Sequence, residues 1–197
     1  MIISKPYTVL NTLNTQESLS NFFNTSNNKV SFSKLYDKFI NLDETDRIAT
    51  LARKFNYDNE PQELNFTIYS NGESFNFSVF IDIDKLYTRF ENSNFTPYEI
   101  EIDNLDIALA LRSNGVTRDI ERPILVISDE IISNIFTLDE YKGRYYPIDG
   151  RNRLKIHIEQ GYNTINCYPV SLNLLLDCMI SKYDALALEL LVYKYTN

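Results

Sequence analysis

The feature that most restricts the fold is a change in apolar spacing between residues 103 and 170. Apolar residues recur at helical spacing from 103 to 111, and Asn114-Gly115 is typical of a helix end. A continuous apolar run at 123–127 predicts a buried strand. The spacing of apolar residues and the turn residues between them then predict, in order, a short helix at 129–136, a strand at 145–148, a helix at 151–160 and a strand at 164–170. Such an alternation predicts a sheet covered by helices.

Three further segments flank this region. Apolar and polar residues alternate over 64–68 and 75–81 around Asn71-Gly72, which predicts a β-hairpin because Asn-Gly accepts positive φ at both central turn positions. Helical spacing from 33 to 55, broken near Asp43, predicts a helical hairpin. The apolar stripe from 172 to 195 predicts a terminal helix or helix pair.

Composition excludes several classes of protein. The 197 residues fit one domain, or one domain with an extension, and the net charge of −8 disfavours binding of duplex DNA by the whole surface. Two cysteines and one histidine cannot build a closed zinc site, so no metal ligands are predicted. The start lacks the pattern of a signal peptide and no apolar run is long enough to span a membrane, so we expect a soluble cytoplasmic protein. The many Asn, Ile, Tyr, Phe and Lys residues suggest AT-rich coding, as in a low-GC bacterium or its phage.

One run carries a candidate site, Ile148-Asp149-Gly150-Arg151-Asn152-Arg153-Leu154. A strand enters a glycine turn and a helix begins at once, so unpaired N–H groups and the positive end of the helix dipole face one point. Arg151 and Arg153 add guanidinium donors that suit phosphate oxygens. The alternative interpretation is that Asp149 caps the helix, Gly150 relieves backbone strain and both arginines are solvated or pair with acidic groups.

This run and its neighbours resemble the ParB/sulfiredoxin-like superfamily over residues 75 to 172. The resemblance rests on these segments in order: Asn104 to Gly115, Arg122-Pro123-Ile124-Leu125-Val126, the run from Ile148 to Leu154, and Glu159 to Ile165. It extends upstream to residues 79–86, where the family has its entry strand. The resemblance implies an α+β fold with a small mixed sheet and helices, here preceded by a helical N-terminal extension and the β-hairpin.

The resemblance also implies a nucleotide site for CTP, ATP or ADP with Mg²⁺. Gly150 and Arg153 match the family's phosphate-binding turn, and Asn152 stands where the family has His or Arg. Arg151 departs from the pattern, since partition proteins have Glu there and sulfiredoxins have the reactive Cys. A guanidinium group cannot be the nucleophile, which argues against sulfiredoxin chemistry. Too little chain follows Val170 for a complete partition protein.

A second branch that the chain resembles is the free-serine kinases of the same fold. Asp149 matches the Asp of their Asp-Gly-His-His-Arg turn, and Glu91 lies near the place of their catalytic Glu. A kinase needs a carboxylate that takes the hydroxyl proton, so Glu91 and Asp149 are the candidate catalytic residues. The alternative is that Glu91 is one exposed acid among several, like Glu99. His157 is interpreted as a structural histidine beside the buried face of its helix.

These observations predict three segments: an N-terminal extension over residues 1–74, the ParB/sulfiredoxin-like domain over 75–172, and a C-terminal helix over 173–197 packed on that domain. The predicted function is nucleotide binding, with phosphotransfer or nucleotide hydrolysis as candidate activities. The alternative is a non-enzymatic phage or plasmid protein that keeps the fold and binds a host or mobile-element protein. A nuclease is disfavoured by the charge and by the lack of a carboxylate cluster.

Overall fold

The computed structural model describes residues 62–70, 73–113, 115, 119–136 and 143–196, together with Lys34, Asp37, Lys38 and Asn41. In chain order the elements are β1 (Gln62–Ser70), β2 (Glu73–Ile81), α1 (Ile83–Asn92), β3 (Tyr98–Glu101), a 3-10 helix (Ile102–Asn104), α2 (Ala108–Leu111), β4 (Ile124–Ile127), α3 (Glu130–Phe136), β5 (Tyr146–Asp149), α4 (Arg151–Glu159), β6 (Thr164–Val170), α5 (Leu172–Asp177) and α6 (Lys182–Thr196). Helices with small sheets of mixed strand direction confirm the predicted α+β class.

The described residues form two compact units, and the first combines residues up to Asp82 with residues from Leu176 onwards. Strands β1 and β2 pair antiparallel over their full length, from Gln62 opposite Ile81 to Ser70 opposite Glu73, which confirms the predicted hairpin. The end of β2 also pairs with the segment before α6. There the N–H of Asp82 donates to the carbonyl of Cys178 at 2.9 Å, and Ile81 forms an antiparallel bridge with Met179.

The second unit, Ile83–Leu175, is built on a four-stranded sheet in the order β3-β6-β4-β5. Strand β4 is parallel to β6 and antiparallel to β5, and β3 is antiparallel to β6. All four residues of β4 are buried, as expected of a central strand with a continuous apolar sequence. One core cluster joins this sheet to α2 and α4; its buried members are Ile102, Leu105, Ala110, Ile124, Val126, Leu154, Ile165 and Cys167.

The strand predictions from 123 onwards are confirmed, and β6 has the predicted bounds. The helix predicted at 103–111 is instead a 3-10 helix followed by the single turn of α2. The interruption has a local cause: the buried carboxylate of Asp106 accepts a hydrogen bond from the N–H of Ala108 at 3.0 Å and so starts a new helical turn. In addition, the N–H of Asp106 donates to the carbonyl of Tyr145, which holds this segment against the start of β5.

The entry strand predicted at 79–86 is wrong beyond Ile81. Helix α1 begins at Ile83, and its buried residues Leu86, Tyr87 and Phe90 share one face. The first strand of the four-stranded sheet is β3, at Tyr98–Glu101, which the sequence patterns did not predict. Strand β3 lies at an edge of the sheet, where exposed charged side chains are normal and hide the strand signal.

The compact units differ from the predicted segments. The boundary lies at Asp82 rather than at residue 74, because β1 and β2 pair with each other along their whole length. Residues from Leu176 onwards join the unit of the hairpin, whereas packing on the 75–172 domain was expected. The predicted helical hairpin at 33–55 and the Asn71-Gly72 turn lie outside the described residues, apart from Lys34, Asp37, Lys38 and Asn41. In the part of the chain that is described, no helix has the length and apolar character needed to cross a membrane.

Candidate functional site

The candidate site begins at the glycine turn between β5 and α4. Gly150 has φ +89°, and a Cβ atom there would lie 2.4 Å from Cγ2 of Ile124, so only glycine fits without movement. Its carbonyl accepts the first helical hydrogen bond, from the N–H of Leu154 at 2.9 Å. No side chain caps the start of α4, and no described residue accepts a hydrogen bond from the backbone N–H groups of 151–153. The turn therefore presents unpaired donors at the positive end of a nine-residue helix.

Arg153 points into the protein rather than outwards. Its side chain is 7% exposed, and Nη2 lies 2.5 Å from Oδ2 of Asp149 in an ion pair. The same nitrogen donates to the hydroxyl of Tyr87 at 2.6 Å. The positive charge of Arg153 is thus neutralised inside the protein, where an unpaired guanidinium would be very costly.

Tyr87, on α1, is the centre of this arrangement. Its side chain is buried, and its hydroxyl lies 2.7 Å from Oδ2 of Asp149 and 3.0 Å from the carbonyl of Pro123. Burial raises the pKa of Tyr87 above its usual value, and the charge of Asp149 raises it further, while Arg153 opposes the shift. The phenol is therefore neutral at physiological pH and has a proton to donate to Asp149 or Pro123.

Glu91 is connected to the same arrangement through Arg122. Nη2 of Arg122 lies 3.0 Å from Oε1 of Glu91, and Cζ of Arg122 lies 3.5 Å from the centre of the Tyr87 ring in a cation–π contact. The side chains of Arg122 and Glu91 are 35% and 54% exposed, so this pair is at the surface. We call Tyr87, Glu91, Arg122, Asp149 and Arg153 the Tyr87 cluster.

The other two side chains of the turn point elsewhere. Nη2 of Arg151 donates to the hydroxyl of Tyr146 at 3.1 Å, while the buried Nε of Arg151 has no hydrogen-bond partner among the described residues. Burial raises the pKa of Tyr146, although Arg151 opposes this shift. The carboxamide oxygen of Asn152 accepts a hydrogen bond from the hydroxyl of Ser113.

The structure thus brings some of the predicted site residues together and separates others. Asp149 and Arg153 form one ion pair next to Gly150, and Glu91 reaches them through Arg122. Arg151 and Asn152 diverge from that cluster. Tyr87 and Arg122 were not predicted as site residues. One available signal was the helical i, i+4 spacing of Tyr87 and Glu91, which places them on one face of α1.

A cavity of about 570 Å³ lies at the opposite end of α4 from Gly150. It is lined by Ile120, Glu121, Arg122, His157, Gln160, Tyr162, Ile165 and Asn166. Arg122 therefore borders both this cavity and the Tyr87 ring. The volume lies within the range typical of small-molecule sites.

The described residues offer no metal site made by the protein alone. Among them, no three His, Cys, Asp or Glu side chains stand close enough to hold a metal ion. Mg²⁺ that enters with a nucleotide takes most of its ligands from phosphates and water, with one or two carboxylates. Asp149 is the carboxylate nearest the helix start, and its second oxygen is not used by Tyr87 or Arg153. One carboxylate oxygen beside the helix start is therefore available to a magnesium ion that takes its other ligands from elsewhere.

No family model matches this chain, and no curated protein or solved structure matches it either. The functional interpretation therefore depends on the residues around α4.

Proposed function

We propose that this chain binds a nucleotide, with its phosphate groups at the start of α4. The observation that carries the proposal is the uncapped helix start. Gly150 supplies no side chain, and no described group accepts from the N–H groups of 151–153. Phosphate oxygens supply the missing acceptors, and the dipole of α4 favours their negative charge.

Arg151 is the side chain best suited to assist the phosphates. Its described hydrogen-bond partner is the neutral hydroxyl of Tyr146, and no described carboxylate neutralises its charge. Its buried Nε has no hydrogen-bond partner in the part of the chain that the structure describes. A guanidinium group with free donors gains more from a phosphate than one already held in an ion pair. Arg153, paired with Asp149, has the separate role of fixing the turn from inside the protein.

The ParB/sulfiredoxin-like fold is part of the same proposal. Its support is the order β4, β5, glycine turn, α4 and β6, which agrees with the resemblance in sequence. The four-stranded sheet has β3 at one edge, next to β6. In the family that the sequence resembles, the phosphate site lies at the glycine turn before a helix. The corresponding turn in this chain is the one at Gly150.

The phosphotransferase form of the proposal uses Glu91 and Asp149. With a nucleoside triphosphate, an acceptor hydroxyl oxygen forms a bond to the terminal phosphorus, the bond from that phosphorus to the bridging oxygen breaks, and the nucleoside diphosphate leaves. Glu91 takes the hydroxyl proton, while Asp149 orients the phosphate end of the ligand. Nη2 of Arg122 lies 3.0 Å from Oε1 of Glu91 and so positions this carboxylate within the Tyr87 cluster.

A second candidate function is binding of a protein partner without turnover. The observation in its favour is that the polar side chains of Asp149, Asn152 and Arg153 already have partners inside the protein. Because these side chains form their hydrogen bonds and ion pair within the protein, the turn can have a purely structural role. This candidate predicts a folded protein with neither nucleotide affinity nor phosphate release.

Calorimetric titration with CTP, ATP, ADP and tripolyphosphate, each with Mg²⁺, tests the binding proposal. We expect Arg151→Ala to weaken the tightest of these ligands by about tenfold or more, because a charged hydrogen bond is lost. The control is Arg89→Ala, which removes one positive charge from the exposed side of α1 and leaves the turn intact. Absent binding in the wild type, or equal affinity in the wild type and Arg151→Ala, contradicts the proposal.

Turnover is tested separately with the same preparations. Phosphate release and phosphoserine formation are measured for the wild type and for Glu91→Gln. Activity that is lost in Glu91→Gln while nucleotide affinity is retained assigns the proton-accepting role to Glu91. Activity that persists unchanged removes that role, and nucleotide binding without any turnover leaves a binding protein.

A further inference from the structure

We infer that the cavity at the end of α4 holds the base of this nucleotide, a planar nitrogen heterocycle. The inference rests on the proposed phosphate site and adds the part of the ligand that determines specificity. The cavity has a volume of about 570 Å³ and is lined by both apolar and hydrogen-bonding side chains. Sites for small molecules combine these properties.

The cavity and the phosphate site lie at the two ends of α4. The distance along the axis from Gly150 to His157 is about 10 Å, at about 1.5 Å per residue. Arg153 points into the protein between them, so a nucleotide with its phosphates at the start of the helix and its base near the helix end does not lie on Arg153. Arg122 connects the two ends, because it lines the cavity and covers the Tyr87 ring.

An aromatic surface is available in the cavity for stacking. Tyr162 is 57% exposed, and its ring centre lies 5.2 Å from that of His157. Ile120 and Ile165 supply apolar wall on the same cavity. Every base has a flat π face that stacks on an aromatic side chain, so Tyr162 is the residue we assign to base stacking.

Hydrogen-bonding groups accompany this surface. Gln160 and Asn166 each offer a carboxamide with donors and an acceptor, the set needed to read the edge of a base.

The charges that line the cavity favour a neutral ring over a second anion. Arg122 and Glu121 both contribute to the wall, and Arg122 is already paired with Glu91. An added phosphate here gains little from Arg122 and is repelled by Glu121. An uncharged heterocycle avoids both effects and uses the carboxamides.

The test measures affinities of the full chain for ATP, CTP, GTP, UTP and tripolyphosphate, each with Mg²⁺. We expect Tyr162→Ala to weaken the tightest nucleotide by about tenfold to a hundredfold, with tripolyphosphate affinity changed by less than about twofold. Tyr162→Phe, which keeps the ring, restores most of the nucleotide affinity. The matched control is Tyr98→Ala, because Tyr98 is similarly exposed at 55% and contacts Phe95 at 5.4 Å between ring centres. We expect that control to leave both affinities unchanged.

The outcomes separate the two proposals. Two results would overturn the base site and leave the phosphate site standing. One is that tripolyphosphate binds as tightly as every nucleotide, and the other is that Tyr162→Ala leaves the nucleotide affinity unchanged. If the wild-type chain binds neither a nucleotide nor tripolyphosphate, both the phosphate site and the base site are overturned. A preference among the four nucleotides that changes in Gln160→Ala or Asn166→Ala supports the assignment of these carboxamides to the base edge.

Discussion

The guanidinium group of Arg153 depends on a few atoms around it for its place in the protein interior. Asp149 supplies the opposite charge at 2.5 Å, and Tyr87 adds a hydroxyl at 2.6 Å. The side chain of Arg153 is 7% exposed, whereas that of Asp149 is 31% exposed. Removing Asp149 alone is therefore worse than removing both, because the buried guanidinium then has neither water nor a charged partner. This asymmetry gives a direct test of the pair.

We expect Asp149→Ala to lower the free energy of unfolding by about 3 kcal/mol, since it leaves Arg153 buried and unpaired. The double variant Asp149→Ala with Arg153→Met removes the stranded charge and recovers part of this loss. Glu91→Gln, which breaks the exposed pair with Arg122, changes the free energy by less than about 1 kcal/mol. Urea denaturation checks all three, and a loss in Asp149→Ala no larger than that in Glu91→Gln would contradict the buried pair.

The buried phenol of Tyr87 makes stability depend on alkaline pH. Because its pKa is raised in the folded state, the folded chain keeps this proton above about pH 10 while the unfolded chain releases it. The folded state then binds more protons, so the free energy of unfolding falls as pH rises. By about pH 11 we expect the wild type to lose about 1 kcal/mol more than Tyr87→Phe, relative to about pH 8. Parallel pH profiles of unfolding for the two proteins would show that Tyr87 has no such role.

At the scale of single elements, the turn between β5 and α4 has the strictest requirement. Gly150 and Gly161 both have positive φ, +89° and +77°, but a Cβ at Gly161 has no atom within 4 Å. We expect Gly161→Ala to cost about 1 kcal/mol from backbone conformation alone. Gly150→Ala costs at least about 1 kcal/mol more, because its Cβ also meets Ile124. Thermal or urea unfolding measures the difference, and equal losses would mean that Ile124 moves aside freely.

Sequence patterns identified the elements whose pattern comes from burial. The continuous apolar run of β4, the alternation in the hairpin and the glycine turn before α4 each have a single physical explanation, and all three elements are present in the structure. Strand β3 was missed because an exposed edge strand has little apolar pattern to detect. Helix α1 was missed because apolar residues continue from β2 into its first turn and hide the boundary at Asp82.

The candidate site was only partly predictable for a related reason. Asp149, Gly150 and Arg153 are neighbours in the chain, so their association follows from one turn of helix. Tyr87 and Arg122 reach the same point from α1 and from the segment before β4, and their contacts depend on how the elements pack. The direction of Arg153, towards Asp149 rather than outwards, depends in the same way on the presence of Tyr87.

At the scale of the whole molecule, the unit that contains the hairpin takes its residues from two distant parts of the sequence. The N–H of Phe80 donates to the buried carboxylate of Asp184 at 3.1 Å, and the N–H of Ile180 donates to the carbonyl of Phe80 at 3.1 Å. These bonds attach the end of β2 to the segment that enters α6. The hairpin therefore depends on residues about a hundred positions further along the chain.

A chain that stops after Leu175 lacks these partners. We expect the amides of Phe80 and Asp82 to lose their protection from hydrogen exchange in that variant, while the amide of Val126 in β4 stays protected. The substitution Asp184→Ala is a milder change than the truncation, and we expect it to reduce the hydrogen-exchange protection of the Phe80 amide alone. Unchanged protection at Phe80 and Asp82 in the shortened chain would show that the hairpin holds its end without the C-terminal segment.

The position of β6 has a consequence for synthesis on the ribosome. This strand is the last of the sheet to be made, yet it lies between β3 and β4 and pairs with both. Until its residues leave the exit tunnel, β3 has no neighbour and β4 is paired on one side only. The nascent chain therefore has unpaired backbone groups on both β3 and β4. These groups are paired in one step, when β6 has been made as far as Val170 and can insert between the two strands.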